Sequence, residues 1–195
     1  ANDDLRLHEK VSRYNLGWAG GELAGFPSFA ALAAAPIRTG FAIATLLSAR
    51  TQDATTYAAS ERLFRKASTP EAMSKLTVKQ IEKLIYPVSF YRYKARYIKA
   101  TCAKLIKNFG GRTPATMDEL LTLPGVGRKT ANLVITLAYQ RPGICVDTHV
   151  HRITNRWGYV RTATPEQTEF ALRRILPRRY WILINDLLVS FGQHL

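Results

Sequence analysis

Apolar side chains recur along the chain at the three- and four-residue spacing of an α-helix. Two segments show one apolar face each: Ile98, Cys102, Leu105, Ile106 and Phe109 in the first, and Val78, Ile81, Leu84 and Ile85 in the second. Long stretches with the two-residue alternation of a half-buried strand do not occur in the sequence. The pattern therefore predicts an all-α protein of about ten short helices.

Several helix ends are also visible in the sequence. Thr77, Thr116 and Thr164 each precede a Gln or Glu by three residues, the capping-box pattern of a helix start. Gly110-Gly111 and Gly158 are expected to end helices. The last helix carries Trp181, Ile184, Leu187, Leu188 and Phe191, and this apolar content predicts that it is internal.

A glycine-rich turn between two helical segments has the sequence LPGVGRKTAN, residues 123–132, and leads into an apolar helix predicted for residues 133–138. Gly125 and Gly127 would allow positive φ angles and a close approach of the backbone to a ligand. The start of the next helix presents free N–H groups, which suit a phosphate. The alternative, from the glycines alone, is a helix joint without a ligand.

The charge balance indicates a polyanionic partner. The chain has 28 Lys and Arg against 14 Asp and Glu, a net charge of +14. Nucleic acid is the first candidate, because the sequence has neither an apolar run of about 20 residues nor a basic amphipathic stretch of the kind that binds membranes. Charge alone leaves open that the basic residues only keep the protein soluble.

The chain has two cysteines, Cys102 and Cys145, without a CxxC spacing. This predicts neither a disulfide framework nor a cysteine metal site. The first residues, Ala1-Asn2-Asp3-Asp4, lack the pattern of a secretory signal. We therefore expect an intracellular protein, located in the cytoplasm or nucleoid if the organism is a prokaryote.

The stretch LPGVGRKTA resembles the hairpin of the helix-hairpin-helix DNA glycosylases, and Asp147 of a VDTH sequence follows eighteen residues after Lys129. The wider resemblance to the endonuclease III family extends through residues 46–49, 90–95, 146–152 and 155–156 to Phe191-Gly192. It implies a two-lobed all-α helix-hairpin-helix fold with a catalytic groove between the lobes. Residues 31–141 would form the lobe with the hairpin, and residues 1–30 with 142–195 the second.

The resemblance also implies an activity. The family includes bifunctional DNA glycosylase/AP lyases of base excision repair, which remove damaged, often oxidised, pyrimidines. Lys129 matches their nucleophilic lysine, which forms a Schiff base and cuts the strand by β-elimination. Its neutral form is expected to be favoured by the helix start, by Arg128 and by partial desolvation. Asp147 matches the essential carboxylate, which stabilises an oxocarbenium-like transition state. Without Asp147, a phosphate contact would be the preferred role of Lys129, and Asp147 is expected to be also the N-cap of the helix that begins near Thr148.

Further site residues follow by position in the family. The DNA-binding set is Gly125, Val126, Gly127, Arg128, Thr130 and His149, with Arg50 and Phe90 as the wedges that fill the gap left by an extruded base. Asp53 is expected to be a helix cap at the border of the pocket. The backbone carbonyls of Leu121, Leu123 and Val126 would hold a monovalent cation. Glutamine is frequent in the family where Arg50 stands, which leaves the opposite-base preference open.

Most relatives carry four cysteines that ligate a [4Fe–4S] cluster after the last helix. The sequence lacks such ligands, so no cofactor is expected on this chain, and a truncated chain is favoured over loss of the cluster loop. The predicted partner is double-stranded DNA with a damaged base or an abasic site, bound by a monomer. The alternatives are a mismatch uracil or thymine glycosylase, an abasic-site lyase, and a non-catalytic helix-hairpin-helix module that binds DNA.

Overall fold

The computed structural model describes residues 35–193, and this part of the chain is all-α as predicted. Its helices are α1 Ala35–Ser48, α2 Asp53–Lys66, α3 Pro70–Lys75, α4 Val78–Ile85, α5 Tyr91–Phe109, α6 Met117–Leu121, α7 Arg128–Leu133, α8 Thr148–Arg156, α9 Pro165–Ile175 and α10 Leu183–Gln193. A π-helical turn, Val134–Ala138, follows α7, and a 3₁₀ turn, Arg178–Tyr180, precedes α10. The predictions for the amino terminus and for residues 1–30 of the second lobe lie outside the described residues.

The three predicted threonine caps are present. Thr77 accepts a hydrogen bond from the Gln80 amide at 3.2 Å, and the Gln80 side chain accepts one from the Thr77 amide at 2.8 Å, which completes a capping box. The hydroxyls of Thr116 and Thr164 accept the amides of Glu119 and Gln167, at 3.4 and 3.2 Å, and so cap α6 and α9. Gly110 and Gly158 adopt the positive φ expected of helix-ending glycines, 57° and 68°.

The described helices belong to two compact units, and the boundary between them falls between Gln140 and Arg141. In the first unit, α5 packs against α3 and α4, and α1 packs against α2 and α5. The predicted apolar faces of α4 and α5 supply much of the core. Its fully buried members include Leu47, Leu63, Met73, Ile81, Ile85, Ile98 and Cys102.

Cationic side chains close the carboxyl-terminal ends of four helices in this unit. The last carbonyls of a helix have no N–H donor within the helix, and they lie at the negative end of the helix dipole. The pairs are Lys94 with Leu47 and Ala49 after α1, Lys99 with Ser74 and Leu76 after α3, Arg62 with Leu84 and Tyr86 after α4, and Lys104 with Thr122 after α6. Part of the positive charge is therefore structural.

In the second unit, α8 packs against α10 and α9. Its core contains Ile144, Val146, Val150, Ile153, Val160, Leu172 and Leu188. The prediction that the last helix is internal is only partly right. Leu188 is buried, whereas Leu187 and Phe191 are each 44% exposed.

The apolar helix predicted for residues 133–138 is a π-helical turn. Tyr139 donates its amide to the Val134 carbonyl, five residues back, at 3.2 Å. The Thr136 hydroxyl donates to the Asn132 carbonyl at 2.8 Å, so a side chain occupies an acceptor that the α-helical ladder would use. All five residues of the turn, 134–138, are buried, so the spacing of apolar residues does not distinguish this π-helical turn from a buried α-helix.

Candidate functional site

The glycine-rich turn forms a helix-hairpin-helix, with α6 before it and α7 after it. Gly125 has φ +76°, and the Val126 amide donates to the Leu123 carbonyl at 3.1 Å. Gly127 is extended, with φ −95° and ψ 177°, and is the N-cap of α7. The expectation of positive φ is therefore right for Gly125 and wrong for Gly127, which ends the turn with ordinary backbone geometry.

Helix α5 packs against this hairpin and supports it. The Tyr97 ring packs on Gly125 so closely that a Cβ there would lie 2.8 Å from a ring carbon. Thr101 donates its hydroxyl to the Pro124 carbonyl at 3.0 Å, and Lys104 donates to the Thr122 carbonyl at 2.7 Å. Gly125 is therefore required both for its φ and for lack of space, whereas a Cβ at Gly127 would meet nothing within 4 Å.

Lys129 is the second residue of α7, directly after the hairpin, and its side chain is exposed. The partial desolvation expected for this amine is thus not present in the protein alone. Arg128 and Thr130 on either side are half-buried, and Val126 is buried at 8% exposure. The Lys129 amine is therefore exposed, between neighbours that are themselves half-buried.

Two of the three carbonyls predicted to hold a monovalent cation flank the turn. Leu121 is the last residue of α6, and the carbonyl of Leu123 already accepts the Val126 amide. The cation site at Leu121, Leu123 and Val126 stays a prediction.

The two predicted wedges lie together. Arg50 and Phe90 both have left-handed backbone conformations, φ 55° and 57°, and both side chains are exposed, Phe90 by 58%. The Arg50 guanidinium carbon is 6.0 Å from the centre of the Phe90 ring, within cation–π range. Two residues that are forty positions apart in sequence thus form one exposed pair.

Asp147 is the N-cap of α8, as its local sequence suggested. Its Oδ1 accepts the Val150 amide at 2.9 Å, and the side chain is half-buried. His149, in the first turn of α8, packs directly on Gly192 of α10 with no room for a Cβ between them. Lys129 belongs to the first unit and Asp147 to the second, and their pairing stays a prediction.

Asp53 is not a helix cap. The N-cap of α2 is Gln52, which has the extended backbone of that position, φ −63° and ψ 145°, and Asp53 is the first helical residue. The predicted cap is therefore wrong by one position.

Lys94 is a functional candidate that sequence reasoning missed. It belongs to a run in which Tyr86, Tyr91, Tyr93 and Tyr97 interleave with Arg92, Lys94, Arg96 and Lys99, and such runs are typical of nucleic-acid contacts. Tyr93, Arg92 and Arg96 are exposed, but Lys94 is buried at 6% exposure. The burial of Lys94 could have been predicted from its spacing, since it shares one helix face with Ile98, Cys102 and Leu105.

The cysteines do not fit a four-thiolate cluster. Cys102 lies in the core of the first unit, 3.9 Å from the Met73 sulfur, and burial raises the pKa of its thiol to about 12. Cys145 is also buried. Among the described residues, His, Cys, Asp and Glu nowhere gather in groups of three that could hold a metal ion.

Within residues 35–193, the helices are all too short or too polar to span a membrane.

Comparison with known proteins identifies the family. The model of the HhH-GPD superfamily base excision DNA repair proteins matches residues 43–178. Endonuclease III of Thermotoga maritima is 46% identical over 153 residues, which make up 78% of this chain and 72% of that protein. Endonuclease III-like protein 1 of Gallus gallus is also 46% identical, over 77% of this chain but only 55% of its own length.

Solved structures agree with this assignment. A trapped endonuclease III–DNA covalent intermediate has a TM-score of 0.76 and 34% identity, and the match covers 95% of this chain and 86% of that one. A thermostable thymine-DNA glycosylase, at 20% identity and a TM-score of 0.67, supports the fold alone. The chain therefore belongs to the HhH-GPD superfamily of base excision DNA repair proteins, as an endonuclease III-like DNA glycosylase/AP lyase.

Proposed function

We propose that this chain excises oxidised pyrimidines from double-stranded DNA, with Lys129 as the nucleophile and Asp147 as its carboxylate partner. The observation that carries the proposal is the family match over residues 43–178, which includes both residues, together with 34% identity to an endonuclease III trapped covalently on DNA. A covalent intermediate requires a nucleophile on the protein, and Lys129 offers an exposed amine at the hairpin.

Lys129 would act through its neutral amine. The Nζ lone pair attacks C1′ of the damaged nucleotide, the C1′–N bond breaks, and the base leaves with the bonding electron pair and is protonated. The nitrogen then loses one of its two protons, and the sugar ring opens as the C1′–O4′ bond breaks and O4′ is protonated, which leaves a protonated Schiff base between Nζ and C1′. Removal of a C2′ proton then expels the 3′ phosphate by β-elimination, and water hydrolyses the Schiff base to release Lys129.

Asp147 would stabilise the transition state of base loss. As the C1′–N bond breaks, the sugar gains oxocarbenium-like positive charge. A carboxylate fixed by its hydrogen bond to the Val150 amide, 2.9 Å away, has little freedom to reorganise during the reaction. The same carboxylate could accept the proton that Lys129 must lose.

The hairpin and the wedges would hold the DNA. Backbone amides at the start of α7 suit a phosphate, and Gly125, Val126, Gly127, Arg128 and Thr130 surround them. His149 would add a contact on the second unit. The carbonyls of Leu121, Leu123 and Val126 would bind a monovalent cation that bridges to the phosphate. Arg50 and Phe90, exposed and 6.0 Å apart, would fill the space of the extruded base.

We further propose that the protein acts as a monomer inside the cell, where its DNA substrate is found. Among the described residues, the two buried cysteines do not fit a [4Fe–4S] cluster, and Lys129 and Asp147 would supply the proposed chemistry.

Borohydride trapping tests the nucleophile. With duplex DNA that contains thymine glycol, reduction should join the wild-type protein covalently to the DNA. Lys129→Gln should lower the trapped fraction at least 100-fold, because an amide cannot form a Schiff base. Lys107→Gln, which changes another exposed lysine, is the matched control and should trap normally. Equal trapping by Lys129→Gln would rule out the assignment.

A panel of duplexes separates the alternatives. Thymine glycol, a G·U mismatch, a G·T mismatch and an abasic site are incubated with excess protein. Faster cleavage at thymine glycol than at the mismatches supports the oxidised-pyrimidine proposal. Cleavage restricted to mismatches or to the abasic site would favour those specialised enzymes, and intact abasic DNA would favour a non-catalytic binding module.

A further inference from the structure

Each proposed wedge sits on a short turn with a left-handed backbone. Arg50 follows the end of α1 with φ 55°, and Phe90 is the N-cap of α5 with φ 57°. Non-glycine residues avoid this region unless the surrounding structure holds them there. The two side chains also remain exposed, so neither is fixed by burial in the core. Hydrogen bonds from Lys94 and to Thr51 contact the two turns instead.

Lys94 lies beneath the Arg50 turn. Its Nζ donates to the carbonyls of Leu47 and Ala49, both at 2.7 Å, and to the Thr51 hydroxyl at 3.1 Å. An ammonium group has three N–H donors, and here each has an acceptor. The contacts fall on both sides of Arg50, so they define the path of the backbone through that residue.

The same lysine is tied to the Phe90 turn. The Lys94 amide donates to the Phe90 carbonyl at 3.0 Å, in the first turn of α5. Thr51, which accepts from Lys94, also accepts the Ser89 amide at 3.2 Å. Thr51 and Lys94 therefore join the turn before Phe90 to the turn around Arg50.

Burial of this amine has a cost that its hydrogen bonds must offset. Lys94 is only 6% exposed, and desolvation lowers its pKa to about 8. An apolar residue of similar length would fill the space without desolvation of a charge, but it would leave the carbonyls and the hydroxyl without this donor. The contribution of the Lys94 ammonium is therefore to fix the backbone positions of its acceptors rather than to add apolar packing.

We propose that Lys94 is a positioning residue, which holds Arg50 and Phe90 as one preformed wedge for the gap left by the extruded base. The inference rests on the proposed function of Arg50 and Phe90. It adds a residue that does not itself touch DNA, and it predicts that base extrusion depends on a buried hydrogen-bond cluster within the first unit.

Lys94→Met tests the proposal, with Lys99→Met as its matched control. Lys99 also bonds carbonyls at a helix end, those of Ser74 and Leu76, from the same helix α5, but far from the wedge turns in sequence. Single-turnover rates are measured on duplex thymine glycol and on a preformed abasic site. Unstacking of the damaged base is followed by the fluorescence of a 2-aminopurine placed opposite it in the duplex.

Lys94→Met should slow excision of thymine glycol at least tenfold and delay the fluorescence rise, because misplacement of about 1 Å can cost up to a hundredfold in rate. Cleavage of the abasic site, where no base must be extruded, should change less than threefold. Lys99→Met should leave the ratio of the two rates unchanged. A ratio that responds equally to both variants would overturn the inference.

A double variant separates positioning from stability. In an Arg50→Ala/Phe90→Ala background, Lys94→Met should cause no further loss of excision, since the wedge it positions is gone. A further tenfold loss there would overturn the inference. If Lys94→Met does not fold, Thr51→Val removes the shared hydroxyl and should show the same rate ratio. A wild-type protein that neither traps nor excises would instead contradict the proposed function itself.

Discussion

The carboxylate of Asp147 and the ammonium of Lys94 each satisfy backbone groups at a helix terminus. Asp147 accepts the Val150 amide at the start of α8, and Lys94 donates to two carbonyls at the end of α1. These signs match the helix dipole, which favours anions at the amino end and cations at the carboxyl end. The functional roles proposed for Asp147 and Lys94 would therefore coincide with structural ones, and a mutation must be chosen to separate the two.

Asp147→Asn separates the two roles of this residue. Asn caps a helix about as well as Asp, so the free energy of unfolding should change by less than about 0.5 kcal/mol. Loss of the charge should slow base excision by about 10²- to 10³-fold. Asp147→Ala should in addition lower the unfolding free energy by about 1 kcal/mol. Urea titration and single-turnover excision measure the two effects, and normal excision by Asp147→Asn would contradict the electrostatic role.

Helix α5 organises the first unit at the level of elements. Its start carries Phe90 as N-cap and Lys94 beneath the Arg50 turn, and its middle supports the hairpin through Tyr97, Thr101 and Lys104. The helix has 19 residues, long enough to connect both features through one rigid element. One helix therefore supports both the Arg50 turn and the hairpin.

The two hairpin glycines should respond differently to alanine. Gly125→Ala places a Cβ 2.8 Å from Tyr97 at φ +76°, and it should lower the free energy of unfolding by about 2–4 kcal/mol. Gly127→Ala meets open space at an ordinary φ and should unfold like the wild type. If Gly127→Ala nevertheless binds abasic duplex at least tenfold more weakly, the loss comes from hindered approach of a phosphate. Unfolding and fluorescence-anisotropy titrations test both, and equal destabilisation would contradict the packing on Tyr97.

At the scale of the whole molecule, the net charge of +14 combines two populations of cations. Lys94, Lys99, Lys104 and Arg62 bind carbonyls at helix ends. Others, such as Arg92, Arg96 and Lys129, are exposed. The exposed population is the one available for phosphates, so the net charge overestimates the number of DNA contacts.

DNA affinity should therefore fall steeply with salt. With about six phosphate contacts, the dissociation constant should rise about 10³-fold between 50 and 200 mM salt. Arg128→Gln should reduce the slope of log Kd against log salt by about one, whereas Lys99→Met should leave it unchanged, because that lysine bonds carbonyls. Anisotropy titrations at four salt concentrations measure the slopes. A flat salt dependence would contradict binding led by phosphates.

Features that depend only on neighbours along the chain could be predicted from the sequence. Thr77 with Gln80 and Asp147 with Val150 are caps formed across three residues, and Gly110 and Gly158 end helices through their own φ. The apolar faces around Ile81 and Ile98 follow from a spacing of three and four residues. Such signals are visible because both partners lie within one helical turn.

Contacts between distant parts of the chain explain which glycine is constrained and which groups the cations bind. Gly127 resembles Gly125 in sequence, but Tyr97 packs on Gly125 alone, and Lys94 resembles its exposed neighbours until its acceptors are known. Those acceptors lie 43 to 47 positions earlier in the chain. Periodicity could have placed Lys94 on the buried face, but its acceptors depend on the packing of α1 against α5, which no local pattern specifies.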